Sequence, residues 1–190
     1  MFDKNKLKGK GLFVFSDPGG AKPLLALVTL IKKNLNDFRI ISDRKYDFYD
    51  EFSLDVHVPN ILSDFDNFKP DFVFTGTSYT SKLELKYIEK SKNKKVVSYS
   101  FVDHYSNISL RFLSDGKMFI SDFVLLLDDN AKKIAINEGL KKKKIKIFIN
   151  PYHEYLKQWK PKLSKETFFS KYEIKSKNII TFALDPLSNA

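Results

Sequence analysis

Residues 71–112, DFVFTGTSYTSKLELKYIEKSKNKKVVSYSFVDHYSNISLRF, constrain the fold of this chain more than any other stretch. Two short apolar runs rich in β-branched and aromatic residues, 71–75 and 96–101, flank a segment with helical spacing. Strand, helix and strand at this length make one βαβ unit, whose crossover is right-handed in almost all folds. Each run ends in a polar cluster: Gly76, Thr77 and Ser78 after the first, Asp103, His104, Ser106 and Asn107 after the second. Ligands of open parallel sheets sit outside the carboxyl ends of the strands. Both clusters are therefore placed where a site belongs.

The rest of the chain extends this pattern. The run GLFVF at 11–15 predicts a first strand buried on both faces. Ser16-Asp17-Pro18-Gly19-Gly20 breaks it, and Pro23 is expected to open a helix with Leu24, Leu25, Val28 and Ile31 as its apolar stripe. The glycines let backbone amides approach an anion, or simply serve a tight turn; the loop is neither GxGxxG nor a P-loop. A second strand is expected at 39–42, a short helix at 46–52, and a third strand at 54–58 with His57 on its face. A brief helix at 62–68 and the βαβ unit's helix at 81–91 follow. Glu84 reads as a solvated acid in a first helical turn, where the dipole favours it, with Ser78 or Thr80 as cap. Further strands are expected at 122–127 and 145–149. Between them lies a helix at 131–138 capped by Asp128-Asp129-Asn130 and stopped by Gly139. Residues 152–159 read as a crossing segment in which Tyr152, Tyr155 and Trp159, if exposed together, would make a docking face. A last helix is expected at 163–172 and a strand-like run at 178–184. The expected architecture is a Rossmann-like three-layer α/β domain with a mostly parallel sheet and helices on both faces.

Composition excludes some chemistry. The 190 residues contain no cysteine, which removes disulfides, thiolate metal sites and cysteine nucleophiles. The N-terminus is charged and lacks the apolar core of a signal peptide, and no apolar run nears the ~20 residues that span a bilayer. A soluble cytoplasmic protein is expected. The net charge is +10 and almost all of it is lysine, with arginine only at Arg39, Arg44 and Arg111. Nucleic-acid readout relies on the bidentate arginine fork, so no nucleic-acid partner is expected; loose attraction to an anionic membrane surface fits lysine better.

Taken together and in order, these motifs resemble the N-terminal half of GT-B glycosyltransferases, and with it the UDP-GlcNAc 2-epimerase architecture. They are most similar to a group of bacterial surface-polysaccharide glycosyltransferase-like proteins. The residues that carry the resemblance are Asp17-Pro18-Gly19-Gly20-Ala21, Gly76-Thr77-Ser78 with Glu84, and Asp103-His104-Tyr105-Ser106-Asn107 with Arg111-Phe112. A later LDD-N-A-K-K…EG run and Asn150-Pro151-Tyr152-His153-Glu154 continue it. Tyr105 stands where the group usually has tryptophan, and Ile108 where it has an aromatic. The resemblance implies transfer from a nucleotide sugar to a saccharide acceptor, without a metal or other cofactor. It makes His104 or Asp103 the base, with Asp17 competing. Gly19, Gly20, Gly76, Thr77, Ser78, Asn107 and Arg111 are then the substrate-binding set. It also implies a domain at 1–155 on the acceptor side. Residues 156–190 would be a helical crossover and the first strand of a second, donor-binding domain. Half a cleft does not turn over, so the chain alone is expected to be inactive. The alternatives are a non-catalytic sugar- or nucleotide-binding module, or one that docks on a partner subunit. A dehydrogenase is disfavoured by the missing GxGxxG.

Overall fold

Alternating burial along the apolar runs decides the layers. In β1 (Gly9–Phe15), Phe13 and Phe15 face one side of the sheet and Leu12 and Val14 the other, and all four are fully buried. A strand buried on both faces belongs inside a parallel sheet covered by helices, as expected from 11–15. A computed structural model of the chain describes residues 1–57, 63–176 and 178–181. The elements after β1 are α1 (Pro18–Ile31), β2 (Leu35–Ser42), α2 (Ser63–Phe68), β3 (Phe72–Thr75), α3 (Leu83–Asn93) and β4 (Val97–Val102). They are followed by β5 (Leu113–Ser114), β6 (Lys117–Met118), β7 (Phe123–Leu126), α4 (Asp129–Asn137), β8 (Ile145–Ile147), α5 (Pro151–Leu156) and α6 (Lys165–Lys171).

Six strands form one sheet in the order β2-β1-β3-β4-β7-β8, every pair parallel. The fold is a Rossmann-like α/β domain. On one face, Phe13, Phe15, Phe74, Phe101 and Leu125 pack with Leu24, Leu27, Val28 and Ile31 of α1. On the other, Leu12, Val14 and Val73 meet Phe65, Phe68, Leu83 and Tyr87, and Val102, Val124 and Leu126 meet Ala131 and Ala135 of α4. Each large side chain so buried contributes roughly 1.5–3 kcal/mol. The chain divides into two compact units, residues 1–158 and 159–190.

Several expectations need correction. The third strand at 54–58 shrinks to a single parallel bridge of His57 to Ile41; Val58 lies outside the described residues. Its two hydrogen bonds, Ser42 N–H to His57 O at 3.0 Å and His57 N–H to Ile40 O at 2.9 Å, still prolong the sheet beyond β2. Asp55 and His57 are exposed there, so the run has too little apolar surface to hold a full ladder. Helix α1 begins at Pro18, not Pro23. Pro23 sits inside it, where the carbonyl it leaves unpaired is that of Gly19 in the first turn. The expected short helix at 46–52 is a 3-10 turn, Asp47–Glu51. Residues 152–159 contain a helix, α5, and Tyr152 and Tyr155 are its anchors: Tyr155 stacks on Phe52 at 4.9 Å between centroids, and both rings join the α1 core. They are not an exposed docking patch. The hairpin of β5 and β6 was not anticipated, although Asp115-Gly116, both at positive φ, is a strong turn signal. In the second unit, α6 is capped by the Ser164 hydroxyl accepting from Thr167 N–H. Of the run at 178–184, residues 182–184 lie outside the described residues and 178–181 form no strand.

Candidate functional site

The strand order reverses direction between β1 and β3, so the loops after these two strands start at the switch point where parallel sheets hold ligands. The first loop lies on the second with backbone against backbone. A Cβ added to Gly76 would come within 3.0 Å of Gly20 Cα, and one added to Gly20 within 3.2 Å of Gly76 Cα. Two glycines are thus required by close approach rather than by positive φ. The loop after β4 joins them through Asp103, whose carboxylate rests against Gly19 and would have to move to admit a Cβ there. The loops carrying Gly19, Gly76 and Asp103 therefore share one rim.

Two clusters of charged groups line this rim. In the first, Asp17 Oδ1 accepts from Arg44 Nη1 at 2.7 Å and from Thr80 Oγ1 at 2.9 Å, tying the loops after β1, β2 and β3 together. The Tyr46 hydroxyl adds a bond to Ser16 O at 2.9 Å. Tyr49, whose hydroxyl burial pushes up to about 12, donates to Arg44 O at 3.0 Å and shares a hydrogen bond with Ser42 Oγ at 3.1 Å. In the second, the Arg111 guanidinium lies over the Tyr79 ring at 4.5 Å, 3.4 Å from Thr77 Oγ1 and 3.7 Å from Asp103 Oδ1. The Arg111 side chain is only 10% exposed. Its Nε and Asp103 Oδ1 are buried without a hydrogen-bond partner, an unusual cost for charged groups.

The remaining expected site residues lie in different settings. His104 is exposed, and its Nδ1 accepts from Ser106 N–H at 3.1 Å, which leaves Nε2 as the ring atom for any other partner. Asn107 adopts a left-handed backbone, and its carbonyl accepts from the Tyr79 hydroxyl at 3.0 Å. Ser78 Oγ accepts from the amides of Thr80 and Ser81, so it shapes the loop before α3. Asp128 caps α4 through Ala131 N–H and accepts from Tyr105 Oη at 2.7 Å. Among the described residues no group of His, Asp and Glu is placed to hold a metal ion.

Glu84 is the residue that sequence reasoning misread. It is 2% exposed, not solvated. Its Oε1 accepts from Ser16 N–H at 2.9 Å and its Oε2 from Ser16 Oγ at 3.0 Å, at the point where β1 becomes the glycine loop. Burial pushes its carboxyl up to about 7, against the hydrogen bonds that favour the charged form. The first-turn position gave no sign of this, because the partner is 68 residues away. Among the described residues no helix is long and apolar enough to cross a membrane.

No protein-family model matches the sequence, and no curated protein does. Solved structures do match. A UDP-GlcNAc 2-epimerase from Neisseria meningitidis, bound to UDP-GlcNAc, has a TM-score of 0.65 at 12% identity over 89% of this chain and 55% of its own. The Methanocaldococcus jannaschii UDP-GlcNAc 2-epimerase, in complex with UDP-GlcNAc and UDP, has a TM-score of 0.53 at 17% identity over 73% and 46%. Anabaena HepE in complex with UDP-glucose has a TM-score of 0.53 at 12% identity over 74% and 43%. The chain spans about half the length of these structures. At such identities the likeness establishes a shared fold: this is the Rossmann-like architecture found in these nucleotide-sugar-binding proteins.

Proposed function

We propose that residues 1–155 form the acceptor-side half of a GT-B-like cleft in a glycosyltransferase-like protein of cell-surface polysaccharide synthesis. Residues 156–190 lead toward a second, donor-binding half. In this reading the protein works in the cytoplasm, a nucleotide sugar and a saccharide acceptor meet above the rim, and the three loops supply its floor. The observation that carries the reading is the half-buried Asp103–Arg111 pair beside Gly19, with a buried unmatched acceptor and a buried unmatched donor. Such loose catalytic geometry tightens when a substrate arrives. Asp103 suits the role of base better than Asp17, whose Oδ1 already accepts from Arg44 and Thr80. His104, exposed on the same loop, is the second candidate. The neutral Thr77 and Ser78 hydroxyls and the Asn107 backbone shape the neighbouring walls.

Isotope-edited NMR of the chain titrated with saccharides, UDP, UDP-GlcNAc and UDP-glucose tests this. The expected result is weak binding that moves the amides of Gly19, Gly76 and Arg111, is lost in Asp103→Asn, and comes with no sugar transfer or hydrolysis. Robust turnover by the chain alone would refute the half-cleft, and shifts confined to another surface would refute the site.

A further inference from the structure

A parallel sheet brings the start of every strand to one edge, opposite the rim. In this chain that edge is dominated by lysine. Lys8 precedes β1, Lys69 precedes β3, Lys94 and Lys95 precede β4, and the run 141–144 precedes β8. All but Lys144 are exposed. The ammonium of Lys144 is held below the ordinary lysine range, first by burial and, against the pull of Asp122, by Lys92, Lys141 and Lys143, which places these cations together. Asp66 neutralises part of the charge through Lys90 and Lys94, whereas no ion pair is formed by Lys141, Lys142 or Lys143 among the described residues. Other acids lie here too: Asp71 and Asp122 are engaged with backbone or serine groups, Glu89 pairs with Lys117 at 2.7 Å, and Asp37 stands near the start of β2.

Apolar surface lies among these lysines. One hollow is floored by Phe65, Pro70 and Val96 and rimmed by Lys69 and Lys94. A second, between α3 and the β5–β6 hairpin, sets Lys92 and the Lys117–Glu89 pair around Met118, Phe119 and Ile120, and Met118 is 43% exposed. Compact lysine charges around apolar hollows match an anionic amphiphile, with headgroups outside and hydrocarbon within. Nucleic acid would call for arginine forks and exposed aromatic platforms, whereas the exposed cations named here are all lysines and Phe65 and Phe68 are buried.

We propose that this lysine-rich edge docks on an anionic phospholipid surface, turning the glycine-lined rim away from the membrane. The proposal does not rest on the sugar reading. With β1 seven residues long, the rim would stand about 20 Å above the headgroups.

Co-sedimentation of the full chain with phosphatidylcholine vesicles, and with phosphatidylcholine–phosphatidylglycerol vesicles, tests the proposal. Binding is expected only to the anionic vesicles, and it is expected to weaken steeply as salt is raised. The triple variant Lys141→Gln, Lys142→Gln, Lys143→Gln is expected to bind roughly a hundredfold more weakly, about fivefold for each lysine. A control with the same net charge, Lys45→Gln, Lys86→Gln, Lys133→Gln, changes lysines away from the edge and is expected to lose far less. Met118→Ser, which keeps every charge, is expected to weaken binding severalfold. Equal losses in the two triple variants would overturn the proposal in favour of diffuse charge. Absence of vesicle binding, or binding to single-stranded RNA in place of vesicles, would overturn it as well.

Discussion

At the carboxyl ends of the strands, charged groups are few, interlocked and partly buried; at the starts of the same strands they are many, exposed and mostly of one sign. Asp17, Arg44 and Thr80 fasten three loops to one another, and Arg111 and Asp103, both after β4, are set against two of the same loops. The run 141–144 fastens little: among the described residues only Lys144 makes a side-chain bond, to Ser121 O. The difference separates two uses of charge in one fold. Buried charge defines geometry and is expensive to disturb, whereas exposed charge shapes a field and is cheap to remove.

The largest effect expected from testing this contrast is at Glu84. Its carboxyl binds a proton more tightly in the folded chain, at about 7, than at the ordinary 4.5. The contribution of Glu84 to stability is therefore greatest below the lower value, falls as pH rises between the two, and levels off above the upper one. The span is on the order of 3 kcal/mol. Glu84→Gln keeps an acceptor for Ser16 N–H and a donor for Ser16 Oγ but cannot ionise. Urea unfolding across this pH range is expected to show the slope in the parent and a flat profile in the variant. An unchanged slope in the variant would move the titration to another group.

A smaller effect is expected at Gly76→Ala. The added methyl meets the Gly20 backbone at 3.0 Å and Phe15 Cβ at 3.4 Å, so the two loops must part. The cost is about 1–3 kcal/mol. NMR shifts should appear at Gly19 and Gly20 and not at residues 141–144. The smallest is at Lys142→Gln, which should leave the midpoint of unfolding within about 0.5 kcal/mol of the parent. A destabilisation as large as that of Gly76→Ala would show that the edge is structural and erase the contrast.

The layers were legible because strand burial leaves a local trace: GLFVF at 11–15 and VSYSF within 97–101 read as strands without any partner in view. Asp128 as a helix cap and Gly139 as a helix stop were legible for the same reason, and both hold, with Gly139 at φ +93°. Features that depend on distant contacts were not legible. The burial of Glu84 needs Ser16, and the glycine contact needs two loops that meet only once β1 and β3 pair. The placement of Pro23 was misjudged because Pro18 already satisfies the first helical position. The third strand failed where Asp55 and His57 put polar groups on the outer edge. At the rim, the loops singled out in the sequence do meet, and Arg111 lies among them, but nothing local distinguished the half-buried Asp103 from the exposed His104 beside it.

The contact of Gly20 with Gly76 has a consequence for how such a rim can change over evolutionary time. No side chain fits at that seam, so it cannot carry chemical preference of its own. Discrimination between guests has to be written on the flanking walls. Those positions can be exchanged one at a time while the bare backbone underneath stays fixed.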